Sequence, residues 1–71
     1  MPKLPRTSGA AIIKALERLG FVKVRQSGSH VILRRGDKGC VVPMHSEVKV
    51  GTLAGILRQA AVSNDEFVEA L

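Results

Sequence analysis

Phe21-Val22-Lys23-Val24-Arg25-Gln26-Ser27-Gly28-Ser29-His30-Val31-Ile32-Leu33-Arg34-Arg35-Gly36-Asp37-Lys38-Gly39-Cys40-Val41-Val42 is the stretch that decides the fold. Phe21 to Gln26 alternates and is rich in β-branched residues, Val31 to Arg35 is strand-like, and Cys40-Val41-Val42 reads as a third short strand. Ser27-Gly28, or the four residues Gln26 to Ser29, make the first turn. Asp37-Lys38, or Gly36 to Gly39, make the second. Loops this short join antiparallel neighbours, so the stretch predicts a three-stranded meander.

Register decides which side chains share a face. Either first loop pairs Arg25 with His30, Lys23 with Ile32 and Val22 with Leu33. One face then carries Val22, Val24, Val31 and Leu33 as core, and the other carries Lys23, Arg25, His30 and Arg34 in solvent. The second turn pairs Leu33 with Val42 and Ile32 with Pro43. Carried further, it sets His45 opposite His30. Cys40 and Val42 join the core. Pro43 is tolerated because a meander leaves the third strand at an edge. Ile32, apolar on the outer face, is the one discordant residue.

The flanks read as helices. Thr7 or Ser8 caps a first helix whose stripe is Ile12, Leu16 and Leu19, with Lys14, Glu17 and Arg18 on the wet side. Gly20 ends it in a left-handed conformation. His45 to Lys49 is a polar connector. Val50, Leu53, Leu57 and Ala60 give a second amphipathic stripe. Ser63-Asn64-Asp65-Glu66 is a capping box opening a short last helix that buries Phe67 and Leu71. The order is α-β-β-β-α-α: an α+β fold with helices on one face of a three-stranded antiparallel sheet. Residues 1–71 form one domain, with 1–7 as a loose arm.

Seventy-one residues give a thin core, so a stabilising partner is expected. The formal charge of +5 favours an anionic partner: nucleic acid, an acidic protein or an anionic surface. The lone Cys40 permits neither an internal disulfide nor a cysteine zinc cluster, and its apolar neighbours make it a small buried hydrophobe. No apolar run follows the basic N-terminus as in a signal peptide, and none reaches transmembrane length. The expected setting is the cytoplasm, with no membrane partner.

Within this frame His30 is the candidate for chemistry. It follows a turn, has cationic neighbours and can move protons near neutral pH. A neutral imidazole can take the proton of an RNA 2′-hydroxyl, whose oxygen then attacks the adjacent phosphorus. Lys23, Arg25 and Arg34 offer charge for the phosphorane, and Lys49 offers a further RNA contact on the second helix. DNA lacks the 2′-hydroxyl, so this chemistry selects RNA. His45 either completes an acid–base pair with His30, caps the following helix or sits idle. Ser29 serves the turn and is, with Arg25 and His45, a candidate for a supporting role. Two histidines without a third ligand make no metal site. Two other readings stay open: a non-catalytic RNA-binding module using the basic sheet face, and a basic interaction protein docking an acidic partner.

Three motifs add a resemblance. Gly28-Ser29-His30, then Val42-Pro43-Met44-His45, then Gly51-Thr52-Leu53 with Ile56-Leu57-Arg58-Gln59-Ala60 are similar in order and spacing to the HicA family of toxin–antitoxin toxins. The resemblance runs from about Ser8 to Leu71. It implies a fold like the double-stranded-RNA-binding domain and a ribosome-independent endoribonuclease that cuts mRNA and halts growth. It also implies one catalytic histidine, matching His30, no cofactor, and a HicB antitoxin that covers the active site. Two positions depart from the pattern. Val50 stands where a proline often precedes Gly-Thr-Leu, and Ala61 where a glycine often follows Gln-Ala. Both bear on helix ends rather than on His30.

Overall fold

A computed structural model describes residues 3–71. Its elements are α1 (Gly9–Arg18), β1 (Val22–Ser27), β2 (His30–Arg35), β3 (Lys38–Pro43), α2 (Val50–Ala60) and α3 (Asn64–Ala70). The strands form one antiparallel sheet in the order β1-β2-β3, so β2 is central and Pro43 does lie on an edge strand.

Local chemistry sets the helix ends. The Ser8 hydroxyl accepts from the Ala11 N–H at 3.1 Å and starts α1. Gly20, at φ +100°, ends it: the Gly20 N–H returns to the Glu17 carbonyl and the Phe21 N–H to that of Leu16. The Ser63–Glu66 capping box opens α3 with both reciprocal bonds at 3.1 Å. The α2 helix is less well provided. Its N-cap Lys49 makes no side-chain bond, and it ends on Ala61 in the left-handed conformation at φ +58°. The bonds from Ala61 N–H to Arg58 O and Val62 N–H to Leu57 O make the same terminal pattern that Gly20 makes in α1. What holds α2 is packing: Leu53, Ile56, Leu57 and Ala60 are buried.

The core joins Ile12, Ala15 and Leu16 of α1 and the α2 stripe to Val31, Leu33, Cys40 and Val42 of the sheet, with Phe21, Val48 and Phe67 filling its ends. Burial pushes the Cys40 thiol up to about 11, so it stays protonated at neutral pH and fills space. Leu71, expected inside, is 44 % exposed: α3 ends at Ala70 and only Phe67 of that helix is buried. The connector is not wholly polar, because Val48 is buried and bridges to Thr7. Of the expected arm, Met1 and Pro2 lie outside the described residues, while Leu4 packs against the core and Arg6 meets Glu47 at 3.3 Å.

The register differs from the expected one in three ways. The first loop is Gly28-Ser29, closing Ser27 against His30, and the second is Gly36-Asp37, closing Arg35 against Lys38. Each begins on a glycine, at φ +59° and +61°, as a type II′ turn requires at its first central position. Moving a turn centre by one residue shifts pairing by two, which keeps every β2 and β3 side chain on its expected face. The third difference is a bulge in β1 between Lys23 and Arg25. It places Lys23 opposite buried Leu33, on the helix side, and Val22 opposite Arg34, on the outer side. Val22 and Val24, expected in the core, are 62 % and 54 % exposed. The helical layer buries Val31 and Leu33 of β2 and Cys40 and Val42 of β3, while all six residues of β1 are exposed, Lys23 and Gln26 only edging α1. With neither face of β1 covered, no burial energy opposes the flip.

Two stability predictions arise from the helix ends. A non-glycine residue in the left-handed region costs about 1–2 kcal/mol, offset in glycine by about 0.5–1 kcal/mol of chain entropy. Ala61→Gly should therefore stabilise the fold by about 1 kcal/mol, raising the thermal midpoint by about 4–8 °C in a domain of this size. An unchanged or lower midpoint would contradict the strain assigned to Ala61. The second concerns Glu66, whose carboxyl is held below its ordinary range by the Ser63 backbone N–H, then by the Ser63 hydroxyl. Because the folded value lies below the unfolded one, its contribution is present above the ordinary glutamate range and fades as pH falls through the lowered value. Denaturation of wild type and Glu66→Gln should differ at neutral pH and converge in acid.

Candidate active site on the outer sheet face

The first residue of the central strand is His30, exposed and held between two neighbours: Ser27 on β1 and Pro43 on β3. The Met44 N–H donates to the Ser29 carbonyl at 2.6 Å, which extends the β2–β3 ladder one residue past His30. That bond makes Ser29–Met44 a hydrogen-bonded pair, and so His30–Pro43 a non-bonded pair, the kind in which side chains stand closest. It also turns the Pro43 nitrogen away from β2, which is why a residue without an N–H fits there.

Arg25 does not stand opposite His30 as expected. It pairs with Ile32, one step along the outer face. A diagonal neighbour in a sheet is about 7 Å away, within reach of an arginine side chain. Arg34 lies four residues along β2, about 13 Å from His30 at the rise of a strand. Both are exposed. Lys23 is turned by the bulge to the margin beside α1, in a shallow cavity shared with Lys14 and Glu17. His45 is not opposite His30 either, because the loop at Gly36-Asp37 puts Pro43 there. Instead it lies past the end of β3, in a groove with Pro43, Glu47, Val48, Lys49 and Thr52. Pro43 thus borders both histidines, while among the described residues no side-chain hydrogen bond joins them. Lys49 belongs to the groove, at the start of α2, and not to the sheet face. The part Ser29 plays in this geometry is its carbonyl, which receives Met44.

Cations outnumber acids on the sheet, and the acid beside it is Asp37 of the second turn, which lines a cavity with Ile32, Arg34 and Val41. The strands contain Lys23, Arg25, Arg34, Arg35 and Lys38 and no aspartate or glutamate. Arg35 is committed to structure: it donates to the Leu19 carbonyl at 2.8 Å and lies 4.7 Å from the Phe21 ring centroid, fastening the end of α1 to β2. Arg25 and Arg34 make no side-chain bond among those of the described residues. An anion on the outer face would meet them without displacing a partner. Among the described residues no group of three or more His, Cys, Asp or Glu converges as a metal site would require.

The sequence reading missed two features of this face. One is its apolar content: Val22, Val24 and Val41 are exposed, and Ile32 is half-buried among them. Only the discordant Ile32 signalled it. The other is the backing of the site by the start of α1, where the Gly9 N–H donates to the His45 carbonyl at 2.9 Å. Ser8-Gly9 reads in sequence as a helix start, with nothing to tell which strand the helix will meet.

No helix is long and apolar enough to cross a membrane among the described residues. No curated protein matches the chain. A family model described as HicA toxin of bacterial toxin–antitoxin matches residues 9–62, a span that runs from the first residue of α1 to just beyond α2 and includes the whole sheet. His30 and its neighbours on both strands fall inside that span, which covers well over half of the sequence, and the chain belongs to the HicA toxin family of bacterial toxin–antitoxin systems.

Proposed function

We propose that this toxin is a metal-independent, ribosome-independent endoribonuclease acting on mRNA, with His30 as its general acid or base. The observation that carries the reading is an exposed histidine on the central strand, on a face it shares with Arg25 and Arg34, whose side chains make no hydrogen bond among the described residues. A phosphodiester drawn to this face brings its 2′-hydroxyl to the imidazole. The imidazole takes the hydroxyl proton, the 2′-oxygen bonds to phosphorus, and the bond from phosphorus to the 5′-oxygen breaks. The leaving oxygen receives a proton from the imidazolium or from water. Arg25 offsets the charge on the phosphorane, and Arg34 holds the strand further along. Lys23 at the margin, with Lys49 and His45 in the groove, can extend the contact with RNA backbone. The only aromatics, Phe21 and Phe67, are both buried, so the face offers no stacking platform and favours backbone binding over base readout.

The same face suits a HicB-type antitoxin. Exposed valines beside unpaired arginines give an acidic partner both a desolvated centre and charge complementarity. An antitoxin that spans this face from Val22 to His30 would inhibit by covering the imidazole.

Two outcomes test this. His30→Ala should abolish single-turnover cleavage of unstructured RNA and toxicity in growing cells while keeping the thermal midpoint, since an exposed side chain contributes no core packing. Cleavage that survives in His30→Ala, or that requires added divalent metal, contradicts the assignment. Replacing Val22 and Val24 together by serine should weaken the antitoxin complex by at least about tenfold per side chain, the value of a buried valine. RNA cleavage by the free toxin should stay within about threefold, less than the loss of one good contact. Unchanged antitoxin affinity would place the interface elsewhere.

A further inference from the structure

A methyl group on Gly9 would overlap the Pro43 carbonyl oxygen and come within 3.0 Å of the Met44 Cα. These are backbone atoms, not the end of a flexible side chain, so they cannot step aside alone. At this point the first turn of α1 stands where a fourth strand would pair. Pro43 is in a non-bonded pair with His30, which turns its carbonyl away from β2 and toward Gly9. The Gly9 N–H takes the His45 carbonyl at 2.9 Å, and two residues earlier Thr7 receives the Val48 N–H at 2.7 Å. The segment between, at Met44, donates to Ser29, the residue before His30.

From this we infer that Gly9 is a positioning residue for His30: its missing side chain seats the start of α1 against Pro43–His45, which holds the Met44 N–H on the Ser29 carbonyl and so fixes the turn that presents the imidazole. Apart from the Ser27–His30 closing pair and an exposed bond from Gln26 Nε2 to the Gly28 carbonyl at 3.2 Å, both on the β1 side, the Met44 bond is what ties the turn to β3. Gly28 has no neighbour within 4 Å of the place a side chain would take, β1 is uncovered, and Pro43 donates no bond to β2. The connection is a chain of short backbone contacts, of which the one between Gly9 and Pro43 requires a particular residue, glycine.

The catalytic part of this inference rests on the nuclease reading; the positioning part does not, and the test separates them. Met44 amide exchange and the His30 ring resonances are followed by NMR in wild type, Gly9→Ala, Ser8→Ala and Ser63→Ala. The last two each remove a helix-capping serine, one beside Gly9 and one on α3, at a similar cost in stability. Gly9→Ala should speed Met44 exchange by at least about tenfold and shift the His30 ring. Ser8→Ala should do both to a lesser degree, and Ser63→Ala neither. In RNA cleavage Gly9→Ala should lower kcat about 100-fold, the effect of about 1 Å of misplacement, with KM changed less than about threefold because the cations that bind the backbone stay in place. Should Gly9→Ala not fold, the comparison of Ser8→Ala with Ser63→Ala decides: equal Met44 exchange in the two overturns the inference, and faster exchange in Ser8→Ala alone upholds it. A folded Gly9→Ala with wild-type Met44 exchange and His30 resonances also overturns it. Wild type that does not cut RNA defeats the nuclease reading, and the amide and ring signals still decide the positioning.

Discussion

Burial of Val31 and Leu33 on the central strand is the constraint on which the molecule depends. Both are at most 1 % exposed, and each contributes about 1.5–3 kcal/mol by leaving water. Side chains on a strand alternate, so the two fix the parity of β2 and force His30, Ile32 and Arg34 to the opposite face. A slip of one residue would expose both and push a histidine and an arginine under the helices, where a charge without a partner is costly. A core this thin has no reserve to absorb that. The exposure of His30 is therefore a consequence of packing, and the site inherits its placement from the two residues that do no chemistry.

The same constraint explains what could be read from sequence. Where one face is covered, pattern and structure agree: Val31, Leu33, Cys40 and Val42 are inside as their alternation indicates. Helix boundaries agree because caps are local. Ser8, Gly20 and the Ser63–Glu66 box act through bonds within a few residues. Turn centres were harder. Ser27, Gly28 and Ser29 all suit a tight turn, and only the demand for a positive φ at the first central position selects Gly28 over Ser27. Beyond the reach of sequence was the bulge at Val24. Val22 and Val24 alternate like core residues, yet all of β1 is exposed, and a pattern cannot show that its cover is absent. The displacement of Lys23, Arg25 and His45 from their expected neighbours follows from these two causes, turn centre and bulge, and from no error in the strands themselves.

The departures from the family pattern fall at the ends of α2, where the structure can tolerate them. Ala61 takes the left-handed conformation a glycine would adopt freely, and Val50 follows an extended Lys49 whose backbone would equally precede a proline. Four buried side chains hold α2 against this. The helix packs on β3, and β3 carries Pro43 and the segment that pins the turn of His30. Weak ends on a well-packed helix lower stability without loosening the face on which the chemistry is placed.

The central claim is that an outward histidine, on a face it shares with Arg25 and Arg34, uses the substrate's own 2′-hydroxyl as nucleophile. The most direct measurement is cleavage of an oligoribonucleotide of known cut site against the same strand with a single 2′-deoxy nucleotide immediately 5′ to the scissile phosphate, with product termini identified by mass spectrometry. The account predicts a 2′,3′-cyclic phosphate and a 5′-hydroxyl from the first strand and no cut at that position in the second. Cleavage at the deoxy site, or products bearing a 5′-phosphate, would show that water attacks the phosphorus and would contradict it.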